Sequence, residues 1–280
     1  MASFAEEITV EPAGEGRYRA FLSHDWDLAP LPQGGIVASF ALRAAGFEVH
    51  DPSQQLRTCT TVFAGQVTAG ELEVDVSVLR RGRSASQVSA TVRNAGAAAG
   101  ATVLAVFGGP RRGPEFVDVN SPKVPAPLDC PSYRDPPPEG VDPMDPFPFW
   151  RHVEGRAAMG HAPWEEYEPE SSDTATWLRF DEPPLLEDGS VDPLAVLTLA
   201  DRMPGSIGER LGRQGPQWFA PSADLTVHFC APLRTEWLLA HDRARWASDG
   251  WASAESTLWD EDGTLVAYAT QMMLFTYMTG

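Results

Sequence analysis

The chain is poor in cysteine, in basic residues and in long apolar runs. Its three cysteines, Cys59, Cys130 and Cys230, are far apart and odd in number. That argues against a disulfide framework and against a structural zinc site. No apolar run approaches the roughly 18 residues that a membrane helix needs. The opening stretch MASFAEEITVEPAGEG has neither a basic start nor an apolar core, so no signal peptide is expected and a cytoplasmic location is. Lys and Arg number 21 against 39 Asp and Glu, a net charge of −18. Such a surface repels nucleic acid and anionic membrane, so neither is an expected partner.

Familiar chemical signatures are also missing. There is no Walker loop, no GxSxG, and no GxGxxG opening a helix after a strand. The six histidines form no HExxH pattern. No catalytic metal and no cofactor are expected.

What is present is an ordinary globular composition, 43% hydrophobic with a mean hydropathy of −0.23 over 280 residues. That is enough for one large domain or two small ones with a sizeable core. Two similar halves flank a poor middle. In the first, ITVEP and RYRAFLS read as short strands. QGGIVASFALRAAG reads as a helix opened by Gly34 and Gly35 and stopped by Gly46. TCTTVFAG, ELEVDVSVLRRG, SASQVSATVRN and ATVLAVFG then read as strands. The stretch from about Gly108 to Pro148 is rich in proline and aspartate, which excludes helix and interior strand. Tyr133, Phe147, Phe149 and Trp150 give it anchors, so a linker packed on the surface is expected. In the second half GRAAMGHAPW and DTATWLRFDE read as strands. Asp192 caps a helix with Pro193 at its first position, running to about Leu211. SADLTVHFCAPL, TEWLLAHDRARWAS, GWASAESTLWDEDG and TLVAYATQMMLF follow as strands. Phe63 and Phe229, and Gly96 and Gly263, stand at nearly the same offset with the same order of elements around them, which implies a duplication. A helix wrapped by a curved antiparallel sheet, twice over, buries both apolar faces. The division expected is an N-terminal unit over 1–108, a proline-rich linker over 109–150 and a C-terminal unit over 151–280.

Three polar residues of the second half stand out. Asp201 lies in LAVLTLADRM, on the helical stripe of Leu194 and Leu197, where an ionised carboxylate is costly to desolvate. Gln271 shares a strand face with Leu265, Ala267, Ala269 and Met273. Ser222 opens a strand after Pro221. Singly they read as a salt-bridged core carboxylate, an edge amide and a strand-start hydroxyl; together, on a helix and two strands that should pack, they read as a site. Gly34 and Gly35 are either a helix start whose free N–H groups can hold an oxyanion or a tight turn that needs glycine. Arg80, Arg81 and Arg83 in RRGR, and Arg243 and Arg245 in DRARW, are either solvated turn residues or a local anion site.

The stretches QGGIVASFALRAA, TTVFAG with VSVLRRGRSAS and VSATV, LADRMPG, PSADLTVHFCAPL and DGTLVAYATQ resemble the bacterial acyl-CoA thioesterase II family, the double hotdog thioesterases. The resemblance covers most of the chain except the proline-rich middle. It implies an α+β double hotdog fold: two tandem hotdog units, each a long helix wrapped by an antiparallel sheet. It implies hydrolysis of acyl-CoA to free acid and CoA by a water that Asp201 activates, with Ser222 in the place of the family's usual threonine and Gln271 as its glutamine. A buried Asp201 would have a pKa raised towards neutrality, suited to a general base, and Ser222 and Gln271 would orient the water. Gly34 and Gly35 would face the oxyanion, and Arg80, Arg81 and Arg83 the CoA phosphates. The partner implied is acyl-CoA or another acyl thioester. The apolar strands LTVHF and AYATQ suggest a homodimer or higher homo-oligomer. Two other readings stay open: an enzyme acting on a carrier-protein-bound biosynthetic thioester, and a non-catalytic acyl-binding protein.

Overall fold

A computed structural model describes residues 2–28, 30–139, 147–212 and 214–278. The first half runs α1 (Phe4–Glu7), β1 (Glu11–Gly14), β2 (Arg17–Leu22), α2 (Gly34–Val49), β3 (Gln55–Phe63), β4 (Gly70–Arg81), β5 (Ala85–Asn94) and β6 (Ala101–Gly108). The second runs β7 (Val153–Met159), β8 (Asp173–Phe180), α3 (Pro193–Ala200), α4 (Pro204–Leu211), β9 (Trp218–Phe219), β10 (Ser222–Phe229), β11 (Leu238–Ser248), β12 (Trp251–Asp260), β13 (Leu265–Leu274) and β14 (Thr276–Tyr277).

Twelve strands form one antiparallel sheet in the order β1-β2-β4-β5-β6-β3-β10-β13-β12-β11-β8-β7. Read outward from the centre, the order in one half repeats that in the other. The halves join through β3 and β10, which pair in register Asp224↔Val62, Thr226↔Thr60 and His228↔Thr58. Thr60 and Thr226 are 166 residues apart, and their hydroxyls meet at 3.0 Å. The same offset relates Phe63 to Phe229. Equivalent residues of the duplicated halves therefore face each other at the centre of the sheet, as a local two-fold axis requires.

α2 is buried on almost every side, by β4, β5 and β6 of its own half and by α3 of the other. Small residues permit this crossing. A Cβ on Gly35 would lie 2.7 Å from Thr198 Cα and 3.0 Å from Leu197 O, both backbone atoms that cannot rotate away. The helix also passes through Gly46 and stops three residues later than the sequence suggested. His50 takes the left-handed conformation, φ 52°, and Arg81 donates to the carbonyls of Glu48 and Val49 at 2.7 and 2.5 Å. A supplied C-cap overrides the local glycine signal.

The single helix expected from Asp192 to about Leu211 is two helices. Asp192 does cap the first, its carboxylate accepting from Leu194 N–H at 2.9 Å. The helix then breaks at Asp201. Pro204 has no N–H for the carbonyl of Ala200, and that carbonyl accepts from Arg202 N–H at 3.0 Å instead. With φ −85° and ψ 60°, Asp201 is the centre of an inverse γ-turn. Its side chain leaves the helical stripe and turns towards the start of α2.

The connection between the halves packs along the outside of the second half, as its aromatic anchors suggested. Cys130 is buried with Ala175, Trp177, Trp237, Leu239 and Trp259. Trp177 Nε1 donates to Pro125 O at 2.9 Å, and at the end of the connection Phe149 N–H reaches back to Asp27 O of the first half at 3.1 Å. Residues 140–146 of this connection lie outside the described residues.

Candidate active site

The site forms where the end of α3 meets the start of α2 beneath β10 and β13. Asp201 is 5% exposed and Gln271 2%. The carboxylate is held from three sides. Gly35 N–H donates to Oδ2 at 2.8 Å, while Ser222 O–H at 3.2 Å and Gln271 N–H at 2.6 Å donate to Oδ1. Gln271 N–H also donates to Ser222 Oγ. The three residues singled out in the second half thus touch one another.

Burial pushes the Asp201 carboxyl above the ordinary carboxylate range, against the donors from Gly35, Gln271, Ser222 and Gly34, which favour the charged form. The positive end of α2 adds to those donors. Gln271 has a second polar atom, Oε1, that is buried and has no hydrogen-bond partner among the described residues. It is an acceptor beside the Asp201 carboxyl group, open to a group with a proton to give.

Gly34 and Gly35 take part differently from the sequence reading. The N–H of Gly35 is turned to Asp201, so the helix start holds the carboxylate. Both glycines are also sterically required: a Cβ on Gly34 would stand 2.7 Å from Asp201 Oδ2 and 2.8 Å from the Phe63 ring.

The sequence reading missed Gln33. It is 2% exposed and joins both helix ends. Its Oε1 accepts from Ile36 N–H at 2.9 Å, capping α2. Its Nε2 donates to Thr198 O at 2.7 Å and Asp201 O at 2.9 Å, capping α3. A polar residue directly before Gly-Gly is the only local signal. Its second partner belongs to the other half of the chain.

The first half carries no second copy of the polar set. At the offset of 166 residues seen at the centre of the sheet, Leu56 stands for Ser222. The pair Leu225↔Gln271 corresponds to Cys59↔Ala105, so alanine stands for glutamine.

The arginine clusters lie elsewhere. Arg81 is occupied with the last carbonyls of α2. That is about 20 Å from Gly35 at 1.5 Å per helical residue. Arg80 and Arg83 are exposed beside it. Arg243 donates to Asp173 at 3.1 Å and Arg245 to Glu255 at 2.9 Å.

The fold is shared with known structures. One is a protein with hot dog fold from Alicyclobacillus acidocaldarius, 25% identical over 99% of this chain and 98% of that one, with a TM-score of 0.81. Another is the acyl-CoA thioesterase II TesB2 from Mycobacterium marinum, 21% identical over 99% and 100%, with a TM-score of 0.75. The molecule is thus a hotdog-fold protein built on one large antiparallel sheet with few helices. The family models for the N-terminal and C-terminal domains of acyl-CoA thioesterase match residues 22–108 and 127–275. The chain belongs to the acyl-CoA thioesterase family and is a thioester hydrolase. No curated protein matches it.

Gln33→Leu keeps the bulk of the side chain and removes all three hydrogen bonds, leaving Ile36 N–H and Asp201 O unpaired and Thr198 O with only the Asp201 N–H at 3.4 Å. Each buried unpaired group costs about 1–3 kcal/mol. Chemical denaturation should show a loss of at least 2 kcal/mol. Unchanged stability would refute the double cap.

Proposed function

We propose that the protein is a double hotdog acyl-CoA thioesterase that uses Asp201 as general base on a water. The observation that carries this reading is a buried carboxylate held by Ser222, Gln271 and a helix start, with the amide oxygen of Gln271 left to accept a hydrogen bond. Asp201 takes a proton from the water as its oxygen bonds to the thioester carbonyl carbon. The tetrahedral intermediate then collapses, the C–S bond breaks, and the proton passes from Asp201 to the departing thiolate. A thiolate leaves readily, so no covalent nucleophile is needed. Ser222 and Gln271 orient the water. With Gly35 N–H already spent on Asp201, the start of α2 at Gly34 and Gly35 acts on the developing oxyanion through the positive field of the helix end alone.

The phosphates of CoA are assigned to the RRGR hairpin, with Arg80 and Arg83 as the arginines not spent on capping. Reversing both to Glu should raise KM for acyl-CoA about tenfold or more at low salt; an unchanged KM removes the hairpin from the site. A cytoplasmic homodimer or higher homo-oligomer completes the reading. No helix among the described residues is long and apolar enough to cross a membrane, and Val62 and Leu104, 49% and 54% exposed, stand on the outer face of the central sheet. Light scattering should give a mass above the chain's 30.4 kDa. A monomer at micromolar concentration contradicts this.

The deciding variant is Asp201→Asn. It keeps the shape and removes proton acceptance, so turnover should fall by roughly 100- to 10,000-fold. In the wild type, turnover should rise with pH through the raised pKa of Asp201, because only the ionised form is a base. Stability runs the other way. The folded protein holds this proton to higher pH than the unfolded chain, so the contribution present at low pH is lost as pH rises from the ordinary carboxylate value through the raised one. At neutral pH Asp201→Asn should therefore melt no lower than wild type. Near-wild-type turnover in this variant defeats the assignment.

A further inference from the structure

Beside the helix break lies a groove that the catalytic reading leaves unused. It encloses about 1300 Å³ between α4 and the connection that packs on the second half. That exceeds the roughly 300–1,000 Å³ of most small-molecule sites. Tyr133, Trp150, Trp164 and Trp218 line it, with Pro136 and Gly205 among their neighbours. These tryptophans are half-buried, an arrangement that leaves apolar ring surface to be covered.

The groove adjoins the candidate site through the turn that follows Asp201, although Asp201, Ser222 and Gln271 are not among its described lining residues. Gly205 lines it four residues after Asp201, and its N–H donates to Arg202 O at 3.0 Å. Trp150, at the same end, carries the Arg202 guanidinium 5.8 Å above its ring and packs edge-on against Tyr133 at 5.5 Å. On the α4 side Trp218 fits against Gly208, where a Cβ would stand 3.3 Å from the indole. Trp218 is stacked on Phe275 at 5.6 Å. The lining is thus aromatic, and its indole walls are backed by further packing.

Charge decides which end of a thioester it suits. The ionised groups on the lining are Arg134 and Arg151 against Asp135 and Glu209. Arg134 is paired with Asp181 at 2.9 and 2.7 Å, and Glu209 with His161 at 2.5 Å. No surplus of positive charge is left for the phosphates of CoA. The lining suits an uncharged group with flat faces.

We infer that this groove receives the acyl group of the substrate, and that it favours acyl groups carrying an aromatic or alicyclic ring. The inference rests on the reading of Asp201 as the hydrolytic base, since it places the acyl group relative to that residue. Ring faces stack on indoles, and a flexible straight chain gains less from planar walls.

Gly205→Leu is the test. The Cβ position at Gly205 has only Arg202 Nη2 near it, at 3.9 Å, so a side chain enters open space, and leucine is the better helix former. Thiol release is measured with 3-phenylpropionyl-CoA and the straight-chain heptanoyl-CoA, of similar length, on both proteins. The wild type should prefer the ring-bearing substrate in kcat/KM, and the variant should cut that preference about tenfold with no loss in melting temperature. An unchanged ratio in the folded variant overturns the inference. If the wild type hydrolyses neither thioester, the hydrolytic reading fails on its own, and the groove is judged by tryptophan fluorescence. Quenching by 3-phenylpropionyl-CoA that weakens about tenfold in Gly205→Leu sustains it; equal quenching in both proteins overturns it.

Discussion

Two helix ends of opposite polarity meet in the middle of this molecule, and the rest is arranged so that they can. The start of α2 presents unpaired N–H groups and the end of α3 unpaired carbonyls. Gln33 answers both at once with a single amide, and the Asp201 carboxylate takes Gly35 N–H. Buried helix ends without partners would be costly. Here each supplies what the other lacks, and the residue left between them is the one proposed as the base. The close crossing requires Gly34 and Gly35, and the break in the second helix requires Pro204 or an equivalent interruption.

This joint spans the duplication. The first half supplies Gln33 and the two glycines, and the second supplies Asp201, Ser222 and Gln271. One half has therefore kept the polar set on its sheet, while Leu56 and Ala105 make the corresponding positions of the other apolar. The copy without that set still contributes by holding the carboxylate in place. Burial raises the pKa of Asp201, and the donors around it keep that rise from being larger.

Much of this was legible in the sequence because strands announce themselves by alternation. ELEVDVSVL and SASQVSATV each became a strand of the sheet, and the shared offset of Phe63 and Phe229 exposed the two-fold arrangement. Asp201 was visible as a carboxylate in apolar company, although the stripe that drew attention to it ends at Ala200. Two of the failures share a cause. The stop at Val49 and the role of Gln33 depend on partners distant in the chain, Arg81 for the first and the opposite helix for the second, whereas the break at Asp201 had a local signal in Pro204 that the helical periodicity masked. Local periodicity and glycine placement cannot report a cap that arrives from the other end of the sequence.

The seam between Thr60 and Thr226 bears on how the molecule is made. Its two strands come from segments 166 residues apart, and contacts of such separation form late. During synthesis the first half can close around α2, but β3 then stands as an open edge with its ladder groups exposed, the form in which strands pair with the wrong neighbour. At about 5–20 residues per second, that edge waits on the order of ten to thirty seconds for β10 to leave the ribosome. The alternation of Thr58, Thr60 and Val62 on its outer face keeps the waiting strand partly polar, so the duplicated architecture carries its own restraint on misassembly while half of it is still missing.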